Sequence, residues 1–202
     1  MVKPSFTKEE LRVIKEYNTP KKVQGFLDKI PYNFRDTFWS FRKVIKNKTA
    51  NCFEGAIFAA AILSYHRYKP LIVCMEARDD IDHNIFVYKK KGRWGSIAIS
   101  RDKELKGRKP IYRTIRALIM SYYPYYYNSY TGDKSDITLR GFSDTIDLRR
   151  FKKDWITSGR NLKFIEDYLF KIPYRKLFPN KKEVYIGTRS AKKKGYYYSP
   201  RE

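Results

Sequence analysis

Apolar residues run without a break from Ala56 to Leu63. Thr49-Ala50-Asn51-Cys52-Phe53-Glu54-Gly55 precedes this run, and Ser64-Tyr65-His66-Arg67 follows it. Asn51 and Glu54 have the spacing of a capping box, with Asn in the place of the usual Ser or Thr. The pattern predicts a helix over 51–65 that begins at Cys52. It is apolar nearly all round, so it belongs in the core. A second, shorter apolar run, Leu71–Ala77, predicts a central strand. His83 to Tyr88 alternates as a strand does, Lys89 to Gly92 reads as a turn, and Arg93 to Ser100 as a third strand. Asp79, Asp80 and Asp82 form an acidic loop between the first two strands.

Either side of this centre the pattern is helical. Thr7 and Glu10 form a capping box at the head of a helix over 7–17. A second helix over 20–32 carries Phe26, Leu27 and Ile30 on one face and is ended by Pro31. Residues 33–48 are basic and aromatic, with Trp39 and Phe41, and show no clear period. Beyond Pro110, Ile111, Ile115, Leu118, Ile119 and Tyr122 share a helical stripe. The Tyr-rich run 122–127 follows, then a loop over 132–143 and helices over 145–156 and 161–171. The expected fold is α+β: a buried helix packed on a small antiparallel sheet, with a helical C-terminal extension. A single domain spans 1–180, and 181–202 is a basic Tyr/Lys-rich tail, expected to be mobile from Ser190.

Composition narrows the partners. The chain has 202 residues, 42% of them hydrophobic, which excludes a disordered protein. Its net charge of +23 attracts polyanions. The charge is spread along the whole chain, so a solvated basic surface and a real polyanion partner stay open side by side. Two cysteines and no signal peptide fit a reducing cytoplasm. No apolar run approaches the roughly 18 to 20 residues of a membrane span. Two His and two Cys without C-x-x-C or H-x-x-x-H spacing argue against zinc. No cofactor is implied.

At the first position of a helix, the macrodipole and free N–H groups favour an anion. The Cys52 thiol should therefore ionise more easily than a free cysteine. A thiolate beside an imidazole is the equipment of nucleophilic catalysis. On helix position alone Cys52 equally reads as a small buried residue; His83 downstream tips the balance. Cys74, between Val73 and Met75, reads as core. His66 reads as a structural group at a helix C-terminus, and Glu54 as a capping partner. The three aspartates lack the Gly and Glu of a calcium loop and read as a solvated turn. Trp39, Trp94 and Tyr122–Tyr127 could stack bases, but aromatics at helical spacing more often pack a core.

Residues 49–100 resemble the transglutaminase-like superfamily, a branch of papain-like thiol enzymes. The resemblance rests on Asn51-Cys52-Phe53-Glu54-Gly55-Ala56, the strand Leu71–Ala77, the strand start at His83, and Gly92-Arg93-Trp94-Gly95. It implies a cysteine nucleophile at Cys52 and a general base at His83. The family's acid, four residues after the strand tryptophan, is here Ala98; Asp102 takes its place as the expected third member, with Ser100 and Ser96 as the other candidates. The implied activity is acyl transfer on an amide or ester of a peptide, protein or small molecule, with the Cys52 main-chain N–H as one oxyanion donor. The alternative is a catalytically degenerate member whose basic surface binds nucleic acid or another polyanion without sequence preference.

Overall fold

The computed structural model describes residues 4–178 and 184–186. The central apolar run forms α4 (Cys52–Tyr65), capped by Asn51, with every residue from Cys52 to Leu63 buried. Its large side chains, Ile57, Phe58, Ile62 and Leu63, each contribute about 2 kcal/mol of apolar burial. Three shorter helices precede it: α1 (Lys8–Glu16), α2 (Pro20–Leu27) and α3 (Phe41–Asn47). All three contribute apolar residues to the core around α4.

The sheet begins with β1 (Leu71–Ala77), β2 (His83–Lys90) and β3 (Arg93–Ile97). Lys91 and Gly92 both have positive φ, 49° and 73°. That is the two-residue turn whose twist suits a hairpin, with Gly at its second position. Then come α5 (Ile115–Met120), β4 (Leu139–Ser143), β5 (Ile146–Asp147), α6 (Lys163–Leu169), β6 (Pro173–Lys176) and β7 (Val184–Ile186). The seven strands form one sheet in the order β3-β2-β1-β4-β6-β7, with β5 alongside β1, and every strand pair is antiparallel. The fold class is α+β.

Strand alternation separates two cores. Ile72, Cys74, Phe86 and Tyr88 face α4. Val73, Met75, Ile85 and Val87 face the other way, onto Leu118, Ile119 and Tyr122. The outer edge of β3 is covered by residues 108–112: Ser96 and Arg108 exchange both main-chain bonds, at 3.0 and 3.1 Å, as do Trp94 and Tyr112, at 2.7 and 3.2 Å. Gly95 is required there, since a Cβ would lie 2.8 Å from Pro110 N. Beyond β3, the Gln24 amide brackets Ala98, donating to its carbonyl at 2.9 Å and accepting from its N–H at 3.0 Å.

Several expectations need correction. The helix expected over 20–32 stops at Leu27. The residue before a proline disfavours helical backbone, so the chain turns before Pro31 and lays Tyr32 beside Ala50 in a parallel bridge. The unassigned 33–48 segment contains α3, capped by Ser40. The helix expected beyond Pro110 is confined to α5; Ile111 is exposed, and Tyr112 pairs with Trp94. The loop expected over 132–143 holds β4, a strand in the middle of the sheet. Arg140 and Gly141 break its alternation, and the charge is accommodated by a bidentate bond to buried Glu76 at 2.7 and 3.0 Å. The helix expected over 145–156 is β5, a single 3-10 turn and extended chain. The C-terminal extension therefore adds strands to the sheet as well as two short helices. Of the tail, only 184–186 lie within the described residues, as edge strand β7. The sheet is correspondingly larger than the small one expected.

Candidate active site

The first turn of α4 is built around one carboxylate. Glu54 is wholly buried. It accepts from the Asn51 N–H at 2.9 Å, Asn33 Nδ2 at 3.0 Å, Thr37 Oγ1 at 2.6 Å and the Trp39 N–H at 3.1 Å. Four donors match the four lone-pair positions of an ionised carboxylate. Burial raises its pKa, while these hydrogen bonds pull the other way. Glu54 is thus more than a capping partner: it ties the whole 33–39 segment to the start of the helix. Gly55, one residue on, leaves room for the Ile99 side chain, which a Cβ would strike.

Cys52 is 8% exposed, and its thiol lies 3.8 Å from the Asp82 carbonyl oxygen. The sulfur therefore rests against the peptide group that joins Asp82 to His83. Tyr32 lies beside Cys52, near enough for the cysteine's main-chain N–H and thiol to act on the titration of its hydroxyl. Burial, and then the charge that Cys52 would carry, hold the Tyr32 pKa well above its ordinary value. Tyr126 closes the same corner from below, its hydroxyl donating to the Ile81 carbonyl at 2.7 Å.

His83 opens β2 and is 4% exposed. Its Nε2 lies 2.9 Å from the Leu105 carbonyl oxygen. A carbonyl only accepts, so Nε2 carries the hydrogen and Nδ1 the basic lone pair. The ring meets Tyr122 edge-on, with centroids 6.4 Å apart, on the α5 side of the sheet. Burial pushes the His83 pKa from 6.5 down to about 4; the Leu105 carbonyl and the Asp102 charge oppose this, and the Arg108 charge adds to it. His83 is therefore neutral across the physiological range.

The Cys52 thiol reaches the Asp82 main-chain carbonyl, one residue before His83, while the His83 ring itself lies on the α5 side of the sheet, against the Leu105 carbonyl and Tyr122. Asp102 is close enough for its charge to act on His83, but its carboxylate pairs with Arg101 at 3.0 Å, and its N–H donates to Ser100 Oγ at 3.1 Å. The Ser96 hydroxyl hydrogen-bonds with Tyr122 at 2.6 Å and accepts from the Arg108 N–H at 2.9 Å. Cys74 is fully buried in the core facing α4. His66 donates Nε2 to the Ile14 carbonyl at 2.8 Å. The acidic loop is a solvated turn only in part: Asp79 is exposed, as expected, but Asp80 is not. Asp80 is 5% exposed and accepts from Ile81 N, Ser129 and Thr138, because the 129–138 segment folds over it. Tyr122 and Tyr126 are core residues, and Trp39 and Trp94 pack half-buried against the two cores.

Two groups at this corner escaped sequence reasoning. Tyr32 follows a proline within a presumed helix, and nothing local marks it as a neighbour of Cys52. The Leu105 carbonyl is main chain, which no residue pattern announces.

Among the described residues, no cluster of His, Cys, Asp and Glu could hold a metal ion, and no helix is long and apolar enough to cross a membrane. No family model matches the chain, and no curated protein matches it.

Proposed function

We propose that the chain is a cysteine-nucleophile acyl-transfer enzyme with a transglutaminase-like, papain-like core. The observation that carries this reading is a thiol at the first position of a capped core helix, lying against the peptide group of a neutral, buried histidine. His83 Nδ1 takes the thiol proton as sulfur attacks the carbonyl carbon of an amide or ester. The carbonyl π electrons pass to oxygen. The tetrahedral intermediate then collapses, expelling an amine or alcohol that leaves with the proton from His83. Water or an amine attacks the resulting thioester, gives its proton to His83, and the thiol is restored.

The Cys52 main-chain N–H heads α4, and Tyr32 lies beside it. A substrate oxyanion accepts that N–H, and the Tyr32 O–H turns to donate to the same oxyanion. This supplies two donors where charge develops. Because His83 is held neutral, the thiol is deprotonated during attack rather than stored as a thiolate–imidazolium pair.

p-Nitrophenyl acetate tests this. The expected result is a stoichiometric burst of p-nitrophenol and an acetyl group on the Cys52 peptide by mass spectrometry, both lost in Cys52→Ala. Acetylation confined to lysines, or a burst that survives Cys52→Ala, overturns the reading. A second reading, a catalytically degenerate polyanion-binding module, draws on the net charge of +23. It requires nucleic-acid binding that persists at about 150 mM salt and is indifferent to Cys52→Ala, because loose surface attachment falls steeply with salt.

A further inference from the structure

The family resembled here orients its catalytic histidine with an acidic side chain, and the matching position is Ala98. The His83 ring nonetheless has a defined partner. Its Nε2 lies 2.9 Å from the Leu105 carbonyl oxygen, and the histidine is 4% exposed, so no solvent competes for that bond. We infer that the Leu105 main-chain carbonyl, rather than a carboxylate, is the positioning group that fixes the His83 tautomer and ring for catalysis. The inference rests on the reading of His83 as the general base.

The carbonyl is firmly presented. Leu105 ends the 3-10 turn Lys103–Leu105 and donates its N–H to the Asp102 carbonyl at 3.0 Å. Its side chain is buried in the α5-facing core. Arg108 then straps the turn. Its guanidinium donates to the carbonyls of Glu104, Lys106 (2.8 Å) and Ser121 (3.4 Å), and lies 4.1 Å from the centroid of the Tyr122 ring that meets His83. The turn is thereby tied to the end of α5. Asp102, whose charge reaches His83, pairs with Arg101.

The chemistry differs from that of a carboxylate. A neutral carbonyl selects the Nε2–H tautomer and leaves Nδ1 basic, as a carboxylate does. It places no full negative charge against the imidazolium that forms when the thiol proton is taken. The site therefore gains orientation with little increase in basicity.

The ring itself reports the answer. In His66→Gln, His83 is the sole imidazole, and Gln can keep the bond to the Ile14 carbonyl. Ring ¹⁵N–¹H correlation spectra of this protein at neutral pH should show a single tautomer, protonated at Nε2. Adding Asp102→Asn keeps the main-chain bonds of the turn and removes the charge; the same tautomer should persist. Protonation at Nδ1, a mixture of tautomers in the parent, or loss of the pure Nε2–H form on Asp102→Asn would overturn the inference, the last by assigning the orienting role to the carboxylate. The spectrum needs no turnover, so failure of the acetylation test leaves this result standing by itself.

Discussion

At both ends of α4 a histidine gives its Nε2 hydrogen to a main-chain carbonyl, and a tyrosine stands beside the terminus. At the C-terminal end His66 meets the Ile14 carbonyl, and Tyr65 is half exposed with its ring against His66. At the N-terminal end, across the Asp82 peptide, His83 meets the Leu105 carbonyl, and Tyr32 lies beside Cys52. The contacts are alike and the settings are not. His66 is half-buried at a surface turn, while His83 is sealed in a core and its pKa falls to about 4. The N-terminal end also holds a fully buried carboxylate. The comparison teaches that the hydrogen bond alone does not make a site. Burial, a thiol and a rigid frame around the helix N-terminus set the corner proposed as reactive apart from the structural one.

The most severe way to break the contrast is to remove the frame. Glu54→Ala leaves four donors without their acceptor, three of them outside the cap pair, and should cost about 4 kcal/mol in urea unfolding. Ser64→Ala, whose hydroxyl donates to the Ala61 carbonyl near the other end, should cost about 1 kcal/mol or less. Equal losses would remove the distinction.

The next effect is linked to pH. The unfolded chain takes up a proton on His83 near 6.5, whereas the folded chain does so only near 4. Above 6.5 both states are neutral, and the group does not affect stability. As pH falls from 6.5 to 4 the unfolded state gains the proton first, so stability falls, by about 3 kcal/mol in all. The groups around the ring are Asp102 and Arg108 by charge, with Leu105 and Tyr122 in contact. Urea unfolding of the parent and His83→Gln across that window should diverge by this amount, with the parent steeper. The same titration sets the acid limb of the acetylation rate near 4; a limb near 6.5 would contradict the buried neutral base.

Thiol labelling sharpens the picture further. Cys52 lies at a helix start with some exposure, and Cys74 at 0% within a strand. Iodoacetamide should modify native Cys52 on the order of 100-fold faster, since Cys74 must wait for an opening of the sheet. Similar rates would make Cys52 an ordinary core cysteine. The smallest effect is at the tyrosines: Tyr32→Phe should slow acetylation about 10-fold through loss of one oxyanion donor, and Tyr65→Phe should leave it unchanged.

What the sequence made legible was local. The capping spacing of Asn51 and Glu54 placed Cys52 at the first turn, and the strand expected to start at His83 does so. The continuous run Leu71–Ala77 marked a strand buried on both faces, and it forms β1 between two cores. The rest depends on partners far along the chain. Arg140 reads as loop until Glu76, 64 residues away, neutralises it. Asp80 reads as solvated until Thr138, 58 residues on, covers it. Asp102 has the charge expected of a third member, yet the bond to the ring is made by a main-chain atom three residues later, where side-chain identity carries no signal.

The covered margin of β3 restricts how any extended peptide could approach. Peptide-binding domains often recruit a ligand as an additional strand, using the free hydrogen-bonding groups along an open sheet edge. Here the main chain of Trp94 and Ser96 is already engaged by residues 108–112, and that of Ala98 by Gln24. A polypeptide substrate therefore finds no ladder to join on this side. If the proposed acyl transfer acts on polypeptides, selection would then fall on the few atoms flanking the scissile bond rather than on a long stretch of backbone paired along β3.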